Sequence, residues 1–433
     1  MGHLIIRAVT LGCKVNQVES ASIVAALNKL DNHINASEGL DPADVYILNT
    51  CSVTAEADRK SRQYITKMTK LNNSCSIIVV GCSSQNDPKK FNKSNVIAVG
   101  GTENKTEFVL SVISSLLKSK DKSIILDRIL FDKNTENFAK NCKNYSKTPQ
   151  KSVKTRDFIK VQDGCDRFCT YCIIPYLRGR SRSRSIADIV DECKRSVSKE
   201  LVITGIDVSD YGKGMDCSLT DLLRALSDIP IRKRLSSLEC EAISEELLQV
   251  MADGDYCPHF HLSLQSGCDD VLKSMNRHYD TAFYYSKIEL IRKYFPLAGI
   301  MTDIIVGFPT ENDNFFANTV DFAKKCAFSD IHVFPYSSRV GTTAARKYTP
   351  LPKDLVSERV QTLLTVKKEL HRNFLVKNLG TVSAVYIEDK NGEYNEGYSP
   401  NYIKVYSKAK CGCVTDLKLS EIYKDGVIGV PIY

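Results

Sequence analysis

Between residues 158 and 337, six apolar runs of strand length recur: "FIKVQ", "LVITGI", "RLSSLE", "HFHLSLQ", "GIMTDIIVGFP" and "IHVFPYS". Each is separated from the next by enough chain for a helix, which is what parallel strands need to cross back over a sheet. The segment is therefore expected to be α/β with a parallel sheet. Six such units suit an open or partial barrel, a (βα)6 arrangement, better than a closed eight-stranded one. Upstream, "HLIIRAVT", "DVYILNT", "SIIVVG" and "NVIAVG" have the same character, with helices expected at about 17 to 30 and 55 to 71, so a first α/β domain precedes the barrel. Towards the end the pattern becomes short alternating strands with turns at "EDKNGEY", "EGYSPNY" and "KDGV", as in a small all-β barrel. The expected organisation is a domain over 1–138, a linker over 139–156, the partial barrel over 157–375 and the β-barrel over 376–433. A chain of 433 residues can give each of these domains its own core.

No stretch approaches the roughly 20 consecutive apolar residues of a membrane span, and "MGHLIIRAVTLGCKVNQ" lacks the layout of a signal peptide. A soluble, cytoplasmic protein with no membrane partner is expected. Sixteen cysteines in a reducing compartment, where disulfides do not persist, point to metal binding by several of them. Others, such as Cys75, Cys193 and Cys326, sit in apolar or helical patterns and read as small core residues. Residues 139 to 184 hold twelve Lys and Arg against three Asp, a local +9 that exceeds the +8 of the whole chain. A polyanion such as nucleic acid suits that patch, although a solvated linker is the simpler account of "KNCKNYSKTPQKSVK" alone.

Immediately after the first strand of the barrel series, "QDGCDRFCTYCIIPY" sets Cys165, Cys169 and Cys172 at the spacing C-x3-C-x2-C. This is the end of a barrel where active sites collect. Three thiolates can hold three irons of a 4Fe-4S cluster and leave the fourth iron open to a substrate or cofactor. A structural zinc site is the competing account, but it normally wants a fourth protein ligand. A second trio is spread out: Cys13, Cys51 and Cys82 each lie just past one of the first three strands upstream. The carboxyl ends of neighbouring parallel strands face one crevice, so these three can meet as another three-thiolate site. Three unrelated buried cysteines remain the alternative.

The C-x3-C-x2-C loop, with Tyr171 just before its last cysteine, resembles that of the radical S-adenosylmethionine enzymes. "TLGCKVNQ", "NTCSVT" and "GC" ahead of it, and "IIPYLRGRSRSR", "HLSLQSGCDDVLKSMNRHY", "IVGFPTEND", "FPYSSRVGT" and "EGYSPNYIKV" behind it, extend the resemblance over nearly the whole chain to the methylthiotransferases of that superfamily. "TLGCKVNQVES" is most like the branch acting on threonylcarbamoyladenosine in tRNA. The resemblance implies two 4Fe-4S clusters, at Cys165, Cys169 and Cys172 and at Cys13, Cys51 and Cys82, and S-adenosylmethionine as methyl donor and radical source. It implies transfer of a methylthio group to C2 of N6-threonylcarbamoyladenosine beside the anticodon. It also implies a terminal RNA-binding TRAM barrel, an electron donor such as a flavodoxin or ferredoxin, and a sulfur donor. An aromatic C-H resists acid-base chemistry, which is the physical reason for a radical cofactor. Family members commonly have proline where Cys240 stands, glycine at Thr310 and prolines near Val340 and Thr343. Residues 377 to 433 hold seven Lys against seven acidic residues, so charge alone would not mark this barrel as an RNA binder.

Further candidates follow from residue type and position. Arg178, Arg180, Arg182 and Arg184 alternate with other residues, so an extended backbone would present four guanidinium groups on one face to successive phosphates; a solvated loop is the alternative. Gly205 ends a strand where backbone must approach something closely, and in the family this turn lies along S-adenosylmethionine. Glu239, Gln265 and Asp303 are polar positions in apolar barrel strands, where cofactor groups or neighbouring backbone would satisfy them. Arg339, at the end of the sixth strand, faces substrate or solvent. His259, His261 and His332 read as ordinary strand residues, since their spacing suggests no metal site. Rival functions are methylthiolation of isopentenyladenosine or of a ribosomal protein, and a non-catalytic Fe-S or zinc RNA-binding module.

Overall fold

The computed structural model describes residues 3–118 and 155–432, so nearly all of the expected linker lies outside the described residues. The chain divides into two compact units. Among the described residues, the first comprises 3–118 together with 163–166 and 172–180; the second comprises 155–162, 167–171 and 181–432.

The first unit is built on a parallel sheet of five strands, β1 (Leu4–Thr10), β2 (Ile34–Glu38), β3 (Val45–Thr50), β4 (Ser76–Gly81) and β5 (Val96–Val99), in the order β2-β1-β3-β4-β5. Its helices are α1 (Lys14–Leu30), α2 (Ala55–Leu71), α3 (Cys82–Asn86), α4 (Lys105–Lys118) and, from the later segment, α5 (Ile174–Arg178). Every residue of β3 and β4 is buried because the sheet is covered on both faces. Alternation splits each strand between two cores. Val45, Ile47, Ile78 and Val80 meet Ile23, Leu27, Val109 and Ile113, whereas Tyr46, Leu48, Ile77 and Val79 meet Ile65, Met68 and Phe91. The edge strand β2, "INASE", is half polar and pairs only with β1. Its weak apolar pattern is why the sequence reading omits it.

In the second unit the six expected parallel strands are present. They form two sheets, one of β6 (Arg156–Lys160), β9 (Glu200–Thr204) and β10 (Arg232–Leu235), the other of β11 (Ser237–Leu238), β12 (His259–Leu262), β13 (Gly299–Val306) and β14 (Asp330–Pro335). The short strands β7 (Gln162–Asp163) and β8 (Arg182–Ser183) pair with each other. The run "RLSSLE" is one strand in sequence but breaks at Ser236, whose N–H turns to Ile203 O at 2.9 Å. Cys240, in place of the family's proline, is fully buried in the large core of this unit. After a 26-residue helix, Lys353–Asn378, the chain closes a five-stranded barrel of β15 (Val382–Asn391), β16 (Tyr394–Tyr398), β17 (Lys404–Ser407), β18 (Val414–Tyr423) and β19 (Gly426–Pro431), in the order β15-β16-β17-β19-β18. Val385, Ile387, Val405, Leu417 and Val427 fill its interior. This barrel is fixed to the amino ends of the parallel strands: Arg234 donates to Pro400 O at 2.9 Å, His259 stacks on Tyr402 at 4.6 Å, and Asn401 donates to Leu297 O at 2.8 Å.

Candidate metal centre

Strands β1, β3 and β4 are neighbours in the first sheet and end at Thr10, Thr50 and Gly81, with Cys13, Cys51 and Cys82 following within three residues of those ends. The thiols are close enough that Cys82 and Cys13 bear on the charge of Cys51, and Cys13 on that of Cys82. Burial pushes the Cys51 thiol up to about 11, with Cys82, Cys13 and Asp58 adding to the rise. Burial also raises Cys82, against the pull of Arg178 and Lys105. Sulfur ligands must be deprotonated, and a bound cation reverses the penalty of gathering them. Cys13 caps the amino end of α1, where the helix dipole favours negative charge. Glycines make room for the trio. A Cβ at Gly12 would stand 2.6 Å from the Cys51 sulfur, and one at Gly81, whose φ is +112°, would stand 2.5 Å from Thr50 O.

Among the described residues, the one group of three His, Cys, Asp or Glu ligand atoms lying mutually within 4.8 Å is His261, Asp303 and His332. The cysteine trio is thus wider than the roughly 3.8 Å between sulfurs bound at about 2.3 Å to a single tetrahedral zinc. The soft, three-sulfur donor set at wider spacing fits an iron-sulfur cluster better than one ion.

Beneath the trio lies a buried polar network that the sequence reading missed. Arg178 is 1% exposed at its side chain. Its Nη1 lies 3.0 Å from Asp163 Oδ1 and 3.1 Å from Glu19 Oε1, and its Nη2 lies 2.7 Å from Asn16 Oδ1. Lys105 Nζ reaches Glu19 at 2.5 Å and Asn49 Oδ1 at 3.0 Å. Asn16 is in turn fixed to Leu11 O and Thr50 O at 2.7 and 3.0 Å. The expectation that Arg178 offers its guanidinium to RNA from an extended strand is therefore corrected: it closes a helical turn and points inward. Arg180 is 75% exposed and pairs with Asp166 at 3.3 Å. Arg182 is exposed, and Arg184 pairs with Glu192 at 2.6 Å. The one available signal for the network was Asn49, a lone polar residue in the apolar run "VYILNT".

Of the C-x3-C-x2-C loop, Cys165 in the first unit donates its N–H to Gly179 O at 3.1 Å, and Cys172 belongs to the same unit. Cys169 in the second unit accepts from Arg277 Nη1 at 3.3 Å. Arg277 is 3% exposed at its side chain, and its Nη2 donates to Glu239 Oε2 and, at 3.2 Å, to Ser263 O. Glu239 also faces Arg167 at 3.7 Å, and Arg167 continues to Asp207 at 2.6 Å and Glu241 at 2.9 Å. Burial raises the Glu239 carboxyl while Arg277 and Arg167 pull it down. Tyr171 packs beside Met275, Phe308 and Ala344. At Gly205 the space a Cβ would need is taken by Gln162, whose Oε1 accepts from Ile206 and Asp207 at 3.0 and 2.8 Å. Gln265 is buried with φ of +70° and clamps β13 through Asp303 O and Ile305 N–H. Asp303 Oδ1 lies 2.9 Å from His261 and 3.1 Å from His332. Burial would raise this carboxyl, but the two imidazoles hold it well below the carboxylate range. These histidines, read from sequence as strand residues, form a polar group with Asp303. Arg339 is buried, which removes the solvent-facing alternative for it.

A parallel partial barrel carrying a C-x3-C-x2-C loop after its first strand defines a radical S-adenosylmethionine protein. Residues 159–323 match the Radical SAM superfamily, and residues 6–100 match Uncharacterized protein family UPF0004. The chain is 34% identical to "Threonylcarbamoyladenosine tRNA methylthiotransferase MtaB" of Aquifex aeolicus over 90% of this chain and 94% of that one. To the protein of the same name in Rickettsia prowazekii it is 36% identical, over 98% and 94%. To "tRNA-2-methylthio-N(6)-dimethylallyladenosine synthase" of Clostridium botulinum it is 34% identical, over 89% and 86%. Among solved structures, the radical S-adenosylmethionine methyltransferase TsrM of Kitasatospora setae shares the fold, with a TM-score of 0.55 at 13% identity over 80% of this chain and 77% of that one. The chain belongs to the radical S-adenosylmethionine methylthiotransferase family and is MtaB-like. No helix among the described residues is long and apolar enough to cross a membrane.

Proposed function

We propose that this protein is a tRNA methylthiotransferase that places a methylthio group on C2 of N6-threonylcarbamoyladenosine next to the anticodon. The observation that carries the reading is the meeting of Cys13, Cys51 and Cys82 at the carboxyl ends of three adjacent strands, in a chain similar over nearly its whole length to enzymes of that name. When bound, a cluster at this trio, another at Cys165, Cys169 and Cys172, and S-adenosylmethionine would supply methylated sulfur and a carbon-centred radical. The chain's own contribution is orientation and exclusion of water. Arg277 donates to the Cys169 sulfur and is held by Glu239, so a sulfur ligand and a buried carboxylate share one rigid donor. Tyr171, Gly205, Glu239, Gln265 and Asp303 are proposed to line the S-adenosylmethionine site. Arg180, Arg182 and Arg184, with the terminal TRAM-like barrel, are proposed to meet RNA presented as an unstacked loop nucleotide. A cytoplasmic location and one-electron donors of the flavodoxin or ferredoxin class belong to the same proposal, as does a separate sulfur donor.

Methylthiolation of dimethylallyladenosine is the second reading, supported by the Clostridium botulinum relative. Mass spectrometry of tRNA nucleosides from cells with and without the active gene separates the two. Loss of the methylthio form of threonylcarbamoyladenosine alone is the expected result; loss of the dimethylallyl form, or no change in tRNA, overturns the proposal. Cys169→Ala should abolish 5'-deoxyadenosine formation from S-adenosylmethionine under reduction while tRNA binding, measured by gel shift, stays within about twofold.

A further inference from the structure

We infer that Arg178, with Lys105 beside it, sets the redox level of the group held by Cys13, Cys51 and Cys82, raising its reduction potential. This rests on the proposal that the trio holds a 4Fe-4S cluster. The four charges of the network, Arg178 and Lys105 against Glu19 and Asp163, balance formally. Such a network is weak evidence for stability by itself, since well-packed apolar replacements are often neutral or better. Its arrangement is directional. Arg178 ends the helical turn whose Ile173 and Leu177 pack against Cys82, and through Asn16 and Asn49 it and Lys105 are fixed at the strand ends that carry the trio, where both cations pull the Cys82 thiol down against its burial. Both cations are all but removed from solvent, at 1% and 3% side-chain exposure, so water does not screen them.

A cluster core of charge 2+ bound by three thiolates carries about −1, and about −2 after accepting one electron. A fixed cation in a low-dielectric setting stabilises the second state more than the first. The electron comes from an external low-potential one-electron donor, and no bond forms or breaks in the chain. Arg178 thus acts through the field it sets at Cys82, and is itself held by Asp163, two residues before Cys165.

The test uses the full chain with Cys165→Ala, Cys169→Ala and Cys172→Ala, which leaves only the first trio to bind iron. Iron content is measured first, then a redox titration is followed by electron paramagnetic resonance. Arg178→Gln should make the cluster harder to reduce by about tenfold in the reduction equilibrium, about 59 mV for one electron. Glu19→Gln, which removes an anion from the same network, should shift the potential the opposite way. Arg178→Lys should fall between wild type and Arg178→Gln. Opposite signs distinguish tuning from damage, because structural loosening moves both variants alike. If Arg178→Gln does not load iron, Lys105→Gln takes its place against Glu19→Gln. Absence of about four irons from the parent variant refutes the cluster proposal itself. A loaded cluster whose potential is unmoved, or moved in one direction by both variants, refutes this inference alone.

Discussion

Glu239 and Arg277 form a buried ion pair at the sulfur of Cys169, and neither partner tolerates the loss of the other. Removing the carboxylate leaves the buried Arg277 without its anionic partner, while Arg167 keeps Asp207 and Glu241, so Glu239→Ala is expected to cost about 3–5 kcal/mol of unfolding free energy in a urea titration. Glu239→Gln should cost less, since it keeps an acceptor. Gly81 is constrained differently. Its positive φ and the 2.5 Å approach of Thr50 O leave no space for a methyl group one residue before Cys82. Gly81→Ala should cost about 1–3 kcal/mol and lower the iron retained by the Cys13, Cys51 and Cys82 site, read by thermal melting and iron analysis of the same sample.

At the scale of elements, the helix after Cys51 illustrates how local chemistry sets a boundary. Thr54 Oγ1 accepts from Ala57 N–H at 3.1 Å and starts α2, while Glu56 and Asp58 complement its positive end. Thr54→Ala should cost about 1 kcal/mol, read as faster amide exchange in the first turn of α2 than in wild type. This helix and the apolar strands were legible because propensity, periodicity and capping agree there. The edge strand β2 was not, because an edge needs only one partner and carries polar residues on its open side. Nor was the turn of helix at Ile174–Arg178: alternating arginines look extended in isolation, yet burial of Ile173 and Leu177 against Cys82 winds the segment and carries Arg178 inward.

Across the second unit, Glu200 is the point where barrel strands and terminal β-barrel are joined. Its fully buried carboxylate meets Arg156 at 2.9 Å, Arg232 at 2.7 Å and Arg234 at 2.9 Å, while Arg156 also pairs with Glu388 and Arg234 with Pro400 O. Burial would raise this carboxyl, but Arg234, Arg232 and Arg156 prevail and hold it at about 2. A depressed carboxylate contributes stability that is complete above its unfolded value and lost as pH falls through its folded one. The contribution, about 3 kcal/mol, should therefore fade between about pH 4.3 and pH 2. Glu200→Gln should flatten that part of the stability profile, and hydrogen exchange should rise together in Arg232–Leu235 and in the terminal barrel. An unchanged profile would show that Glu200 does not join them.

The sequence by itself determined the layers, the six-strand series and both cysteine spacings, because these depend on periodicity and on residues close along the chain. It also determined the family, through motifs in order over nearly the whole length. Only the tertiary structure decided which charges are buried and what they face. Arg178, Lys105, Glu19 and Asn49 are far apart in sequence and ordinary in type, and they become a unit at the cysteine trio because a parallel sheet brings its strand ends together. The cost of burying a charge depends on partners supplied by distant segments, and no local pattern records them.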